Sequence, residues 1–251
     1  MHDVYLREYH LELHVQRTTM KIAIFGKTPQ SKAQLRKEVE AFGFTYNEKK
    51  PDVVISYGGD GTFLRSERAY PGVVKSLFRY SKICKKCHDL PIEHALQLLK
   101  KKKYHVVENL TLSAAVDERR FTAVNDLTIR NAEPTHALRF TITVNGKRLP
   151  HEYIGDGVVI ATPHGSSAYF HSITRRNFNA GIGVAFNNTT EEHAPLLLDE
   201  RKKIVVTITR GFAHICSDND PEVLTVTRGT KITIQRGKQK SKVVVFGKNI
   251  K

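Results

Sequence analysis

Residues 53–64 read VVISYGGDGTFL, an apolar run followed by three closely spaced glycines around a single carboxylate. The run from Val53 to Ile55 predicts a buried strand, and the glycines predict a tight turn that leads into a short helix through Phe63. Such a turn lets backbone N–H groups approach phosphate oxygens, and a helix N-terminus adds partial positive charge. Asp60 would repel phosphate, so we interpret it either as a catalytic or metal-linked carboxylate or as a simple capping residue.

The residues before this turn extend the pattern into an α/β layer. KIAIFG at residues 21–26 predicts a first strand, and Thr28 followed by Pro29 predicts the start of a helix. Strand, helix, strand, glycine turn and helix predict an α/β domain over residues 20–104. Residues 1–19 show no comparable pattern, and we interpret them as a dispensable N-terminal extension.

Beyond residue 104 the apolar residues alternate with polar ones. Leu138, Phe140 and Ile142 follow this alternation, and Asn145-Gly146 is the dipeptide favoured in tight hairpins. We therefore predict a mainly antiparallel sheet over residues 105–251. The last apolar run, residues 243–246, fits either this sheet or a return to the first domain.

The composition of the chain indicates which binding partners and which cellular compartment to expect. The chain carries 40 basic and 25 acidic residues, and its formal charge of +15 favours a polyanionic partner without choosing among nucleotide, polyphosphate and nucleic acid. The basic run at residues 100–103 follows a helical apolar pattern, so we interpret it as a helix C-terminus rather than a nucleic-acid site. No apolar stretch approaches the roughly 18 residues that span a bilayer. Three cysteines cannot build the disulfide framework of a small secreted domain, so we expect a cytoplasmic protein with no membrane partner.

The segment Cys84-Lys85-Lys86-Cys87-His88 matches the C-x-x-C-H pattern of haem attachment and offers half of a zinc site. Haem attachment requires an export route that the sequence does not indicate, and a zinc site needs further ligands. We interpret the two cysteines as reduced thiols on a basic segment, with a structural metal as the alternative.

GGDGT at residues 58–62, the pair Asn125-Asp126 and GDGVVIATPHGSSAY at residues 155–169 are three further signals. Together they resemble the motifs of the NAD kinase family. Residues 58–62, GGDGT, are similar to the turn that NAD kinases share with diacylglycerol and sphingosine kinases. Residues 155–169, GDGVVIATPHGSSAY, resemble the NAD kinase pattern D-G-x-x-x-x-T-P-T-G-S-T-A-Y, which those lipid kinases do not share in that form. Asn125 and Asp126 resemble the Asn-Glu pair of the family and lie between the other two motifs, as in that family.

The resemblance implies a Rossmann-like α/β domain followed by a mainly antiparallel β-sandwich domain. It also implies a kinase that phosphorylates the adenosine ribose 2′-hydroxyl of NAD with ATP or polyphosphate, using Asp60 as the catalytic carboxylate and Mg²⁺ that accompanies ATP. A homo-oligomer, either dimer or tetramer, is implied as well. The residues implied for the donor phosphates are Gly58, Gly59, Gly61 and Thr62. Those implied for NAD are Asn125, Asp126, Asp156, Thr162, Ser167, Ala168 and Tyr169.

The sequence departs from the family pattern mainly on the donor side. The glycine- and asparagine-containing loop expected after the next strand is absent, and we predict that basic residues from Lys75 to Lys86 replace it, with Lys75 and Arg79 as donor ligands. Asp126 stands where the family has Glu, and Asp218 is followed by Asn where the family often has Gly. Two alternatives stay open: a kinase of the diacylglycerol or sphingosine type, and a nucleotide- or nucleic-acid-binding protein that has lost catalysis.

Overall fold

The computed structural model describes residues 19–247, and the interpretation of residues 1–18 lies outside this part. Its four helices are Pro29–Ala41 (α1), Asp60–Ala69 (α2), Ile92–Lys100 (α3) and Tyr169–Thr174 (α4), and a 3₁₀ turn covers Gly165–Ser167. The strands are Lys21–Gly26 (β1), Thr45–Tyr46 (β2), Val53–Gly58 (β3), Val74–Arg79 (β4), His105–Asn109 (β5), Leu112–Val116 (β6), Arg119–Ala123 (β7), Asp126–Asn131 (β8), Leu138–Val144 (β9), Lys147–Ala161 (β10), Ile182–Thr189 (β11), Leu196–Leu198 (β12), Ile204–Arg210 (β13), Ala213–Ser217 (β14), Leu224–Val226 (β15), Lys231–Arg236 (β16) and Ser241–Val245 (β17).

The first sheet has the strand order β2-β1-β3-β4-β17-β5. Its strands pair in parallel from β2 through β17, and only β5 is antiparallel to its neighbour. The α1 helix begins as predicted, since the Thr28 hydroxyl accepts a hydrogen bond from the Ser31 N–H at 3.1 Å. Leu35 and Val39 are buried on the face of α1 that covers the sheet. The parallel strands and their crossover helices confirm the predicted α/β domain.

The first sheet extends further along the chain than the sequence indicated. Strand β5, which the alternating pattern placed in the second domain, pairs with β17, so the domain boundary lies after Asn109 rather than after residue 104. The last apolar run returns to this sheet, where β17 lies between β4 and β5.

The second sheet has eleven strands, all paired in antiparallel fashion, as predicted. It curls until β7 approaches β14, and one large apolar cluster fills its concave side. The β9–β10 hairpin turns at Asn145 and Gly146, whose φ angles of 48° and 82° are those that this dipeptide tolerates.

In the described part of the chain, no helix combines the length and apolarity that crossing a membrane would require.

The two domains meet at the carboxyl end of β3. Phe63 and Leu64 of α2 pack with Val124, which lies just before β8, in a small apolar cluster. The Asn219 side-chain amide, just after β14, donates a hydrogen bond to the Gly61 carbonyl at 2.9 Å. These contacts place the glycine turn of the first domain against one corner of the second.

Candidate active site

The glycine turn is built by close backbone approach. A Cβ atom at Gly58 would lie 2.1 Å from Thr62 Oγ1, so this position accepts no side chain. The Thr62 hydroxyl accepts a hydrogen bond from the Gly59 N–H at 3.4 Å and is buried, which gives Thr62 a capping role at the start of α2. Gly61 is exposed, and its N–H belongs to the first turn of the helix.

Asp60 stands in the first turn of α2, where the helix dipole stabilises a negative charge. Its Oδ2 accepts a hydrogen bond from the Lys85 N–H at 3.0 Å, and its Oδ1 accepts one from the Lys86 N–H at 3.1 Å. The loop after β4 therefore folds back over the glycine turn. Tyr80 and Ser81 anchor this fold by donating their N–H groups to the Gly58 carbonyl at 2.9 and 3.0 Å.

The opposing corner of the second domain is centred on Asn125. Asp218 accepts hydrogen bonds from the Val124 N–H at 2.8 Å and from the Asn125 N–H at 2.7 Å. On the other side, the Asn125 carbonyl accepts the Thr162 N–H at 2.9 Å. A Cβ atom at Gly165 would lie 2.1 Å from the same carbonyl, which explains the glycine in this turn. The backbone of Asn125 is thus fixed from both sides.

One cavity joins these two corners and has a volume of about 170 Å³. The first domain contributes Asp60, Phe63, Leu64, Lys85 and Lys86 to its lining, and the second contributes Asn125, His164, Ser167 and Ala168. Four of the predicted site residues, Asp60, Asn125, Ser167 and Ala168, therefore lie around one space. Thr162 is fully buried beneath it, donating its hydroxyl proton to the Val124 carbonyl and accepting the Gly165 N–H at 3.0 Å.

Three titratable side chains at this corner are perturbed. Burial lowers the pKa of His164 to about 4, and Lys86 lowers it further while Asp60 opposes the shift, so the imidazole is neutral at neutral pH. Burial, with a contribution from Asp218, raises the pKa of Asp126 to about 7. Burial raises the pKa of Asp218 as well, while the backbone N–H groups of Val124, Asn125 and Asp126 that donate to its carboxylate act to lower it.

Besides Thr162, three more of the predicted NAD residues lie outside the cavity lining. Asp126 is buried behind Asn125, with its Oδ1 3.5 Å from the Thr128 hydroxyl. Tyr169 begins α4 next to Ala168, and its hydroxyl accepts a hydrogen bond from the Asn187 side chain at 3.2 Å. Asp156 on β10 accepts one from the Asn188 side chain at 3.0 Å. Tyr169 and Asp156 therefore each accept a hydrogen bond from one of two consecutive asparagines of β11.

Lys75 does not take the role predicted for it. It lies on β4, between two other parallel strands, and its side chain is 0% exposed. Its ammonium pairs with Glu67 Oε2 at 2.7 Å and donates to the Tyr70 carbonyl. Because that partner is itself buried, Lys75 is an internal structural cation and cannot reach a phosphate donor.

Arg79 is exposed enough to meet a ligand, but its contacts hold the neighbouring loop. Its guanidinium pairs with Asp89 Oδ1 at 2.7 Å and donates to the Cys84 carbonyl at 3.0 Å. Lys85 and Lys86, which the sequence did not single out within the basic segment, are the basic side chains that line the cavity.

The interpretation of Cys84 and Cys87 as reduced thiols is wrong, because the two form a disulfide. Their spacing in the sequence brings the sulfurs together across a single turn of the loop. Among the described residues no group of three or more His, Cys, Asp or Glu side chains is arranged to bind a metal ion. The structure therefore gives no support to the alternative of a zinc site.

A larger groove of about 890 Å³ has Leu64 and Val124 in its lining. It is lined by several arginines, but Arg119 pairs with Glu222 at 3.0 Å and Arg68 lies 3.6 Å from Asp220. The groove contains neither the glycine turn nor Asp60. The residues that line the smaller cavity, rather than its volume, therefore identify it as the candidate active site.

Comparison with known proteins agrees with this geometry. Residues 124–246 match the family model of the ATP-NAD kinase C-terminal domain. The NAD kinase of Sulfurisphaera tokodaii is 30% identical over 243 residues, which cover 90% of this chain and 96% of that protein. The NAD kinase of Thermomicrobium roseum is 28% identical over 207 residues, covering 78% of this chain and 71% of that protein.

Two solved structures share the fold. Yeast NADH kinase complexed with NADH superposes with a TM-score of 0.82 at 15% identity, covering 93% of this chain and 85% of that chain. An NAD kinase from Archaeoglobus fulgidus in complex with ATP superposes with a TM-score of 0.76 at 18% identity, covering 92% of this chain and 94% of that chain.

Proposed function

The chain belongs to the NAD kinase family, and we propose that it transfers the terminal phosphoryl group of ATP or polyphosphate to the adenosine ribose 2′-hydroxyl of NAD, giving NADP. One observation carries the proposal. Asp60 of the glycine turn faces Asn125 and Ser167 of the second-domain motifs across a single cavity. A donor held by the first domain and an acceptor held by the second would meet there, and such positioning is the main requirement of phosphoryl transfer.

The donor side of the cavity offers positive charge and a fixed carboxylate. We assign the ammonium groups of Lys85 and Lys86 to the donor phosphates, because they are the basic side chains in the lining. Gly58 and Gly59 pack closely against Thr62 and Ser81, and we propose that the glycine turn fixes the position of Asp60 at the donor side. We assign Asp60 to the reacting centre, where its negative charge would orient the acceptor hydroxyl or accept its proton.

The acceptor side offers polar groups of the kind that a dinucleotide requires. We assign Asn125, Ser167 and Ala168 to the adenosine part of NAD, next to the reacting centre. We assign Tyr169, which follows Ala168 in the chain, to the remainder of the dinucleotide, and Asp156 on β10 to the nicotinamide amide. Amide, hydroxyl and carboxylate groups supply the donors and acceptors that ribose hydroxyls and an amide can pair with.

The residues present fit a Mg²⁺ ion that arrives with ATP. Asp60 is the only carboxylate among the residues that line the cavity. Proteins ordinarily hold Mg²⁺ through one or two carboxylates together with substrate phosphates and water, so Asp60 would be its protein ligand. When bound, the ion would neutralise negative charge on the donor phosphates. We place the enzyme in the cytoplasm.

A panel of acceptors tests the proposal. Purified protein is incubated with terminally labelled ATP or polyphosphate and with NAD, NADH, diacylglycerol or sphingosine in turn. We expect label to appear in NADP or NADPH and in neither lipid. Label in a lipid would favour the lipid-kinase alternative. Nucleotide binding without transfer to any acceptor would favour a protein that has lost catalysis.

A further inference from the structure

The segment of residues 80–90, here called the capping loop, is fixed at several points. Its first residues donate N–H groups to the Gly58 carbonyl, and the Arg79 guanidinium donates to the Cys84 carbonyl. Within the loop, the Cys84–Cys87 disulfide closes a small ring, and the Cys87 N–H donates to Cys84 Sγ at 3.2 Å. The ring contains only Lys85 and Lys86 between its two cysteines.

These enclosed residues are the ones that contact Asp60. The Lys85 and Lys86 N–H groups reach Oδ2 and Oδ1 at 3.0 and 3.1 Å, and Cys84 Sγ lies 3.2 Å from Oδ1. A disulfide sulfur carries no proton, so the last contact is not a hydrogen bond while the disulfide is intact. The two N–H groups are therefore held on the carboxylate by the covalent ring around them.

We propose that Cys84 and Cys87 are positioning residues of the phosphoryl-transfer site, whose disulfide holds Asp60 and the two lysines in place and whose reduction slows the transfer. The inference rests on the function proposed above. Reduction frees the ring, so the two N–H donors leave the carboxylate and the two lysine residues lose their fixed place in the cavity lining. The Cys84 thiol also gains a proton that it can donate to Asp60 Oδ1, in competition with the acceptor hydroxyl.

The redox step requires a dithiol as the co-reactant. One thiolate of the dithiol attacks Cys87 Sγ, because Cys87 is partly exposed whereas Cys84 is buried. The S–S bond breaks, and the Cys84 thiolate leaves and takes a proton. The second thiol of the reductant then displaces Cys87, so the reductant ends as a disulfide and the protein holds two thiols. In a cytoplasmic protein a disulfide is usually transient, catalytic or redox-sensing, which agrees with a reversible role.

The kinetic test compares oxidised and dithiothreitol-reduced enzyme, with separate kcat and KM values for ATP and NAD. We expect reduction to lower kcat roughly tenfold through misplacement of Asp60 and to raise the KM for ATP, while the KM for NAD stays unchanged. Oxidised dithiothreitol should restore the activity. A titration over dithiothreitol redox buffers should show activity and thiol content changing at the same midpoint potential.

Variants separate this role from others. The double variant Cys84→Ser/Cys87→Ser should have the kcat and KM values of the reduced enzyme, and reductant should not change them. Cys216→Ser, which alters the free cysteine, should show the wild-type response to reductant. Equal kcat values before and after reduction would overturn the proposal, as would higher activity in the reduced state. A reductant response that persists in the double variant would do the same.

A measurement without turnover keeps the inference separate from the proposed function. Hydrogen exchange reports the Lys85 and Lys86 amides directly, and we expect them to exchange at least about tenfold faster after reduction. Unchanged exchange would overturn the positioning role even in an active enzyme. Faster exchange in a protein that phosphorylates no NAD would support the disulfide's hold on Asp60 and count against the proposed function alone.

Discussion

Replacing Asp60 by asparagine removes the carboxylate that lines the candidate active site while keeping nearly the same side-chain shape. In the native protein each carboxylate oxygen accepts one N–H from the capping loop. Asparagine offers one oxygen and one NH₂ group, so one of the two N–H donors would face another donor. The substitution therefore perturbs both the charge of the site and the seating of the loop.

The two effects have different magnitudes. Loss of one hydrogen bond to a charged group costs about 1.5–3 kcal/mol, so the free energy of unfolding should fall by roughly that amount. For a chain of this size the melting temperature should fall by roughly 3–12 °C. Loss of a positioned group that orients or deprotonates the acceptor should lower kcat at least about 100-fold, with little change in the KM for NAD.

Circular dichroism gives the melting temperature, and a coupled assay with an NADP-specific dehydrogenase gives kcat and KM. Asp117→Asn is the matched control, because it makes the same charge change at an exposed turn residue whose φ of 51° asparagine tolerates. The control should keep wild-type kcat. A folded Asp60→Asn variant with near-normal kcat would refute Asp60 as the catalytic carboxylate.

Two further predictions concern buried charges. Lys75→Met leaves Glu67 without its buried partner, so the protein should lose about 3–5 kcal/mol of stability; thermal unfolding should show this, and a raised KM for ATP with an unchanged melting temperature would contradict the structural role. Asp126 has its pKa raised from 3.8 to about 7, so the unfolded chain releases this proton first and stability falls as pH rises through that window. Asp126→Asn should therefore raise the melting temperature at pH 8 and have little effect at a pH well below 3.8, where the aspartate is protonated in both states; equal shifts at both pH values would contradict the assignment.

Local features of the chain were predictable because nearby residues determine them. Thr28 and Pro29 set the start of α1, and Asn145-Gly146 set the hairpin turn. The glycine turn around Asp60 was readable for the same reason, since strand, turn and helix are contiguous. Recognition of the three motifs then implied Asn125, Ser167 and Ala168 as site residues, without indicating that they would lie opposite Asp60.

The rest depends on contacts between distant segments. Lys85 of the capping loop contacts Asp60 across 25 residues of sequence, and Asp218 contacts the backbone of Asn125 across 93 residues. No local sequence pattern predicts either contact. The burial of Lys75, by contrast, could have been predicted from the sequence. Lys75 lies within an apolar run, and such runs are typical of buried strands in parallel sheets. We predicted a phosphate ligand from the positive charge of Lys75 alone. In the structure that charge is paired with the buried carboxylate of Glu67.

The activity proposed for this chain is the formation of NADP from NAD. The most direct measurement is incubation of the purified protein with NAD, Mg²⁺ and either ATP or polyphosphate, followed by phosphorus NMR of the product and reaction with an NADP-specific dehydrogenase. We expect a phosphomonoester on the adenosine ribose 2′-oxygen, formed only when a donor is present and nearly abolished by Asp60→Asn. A folded wild-type protein that binds NAD but forms no NADP with either donor, or that places the phosphate on another oxygen, would contradict it.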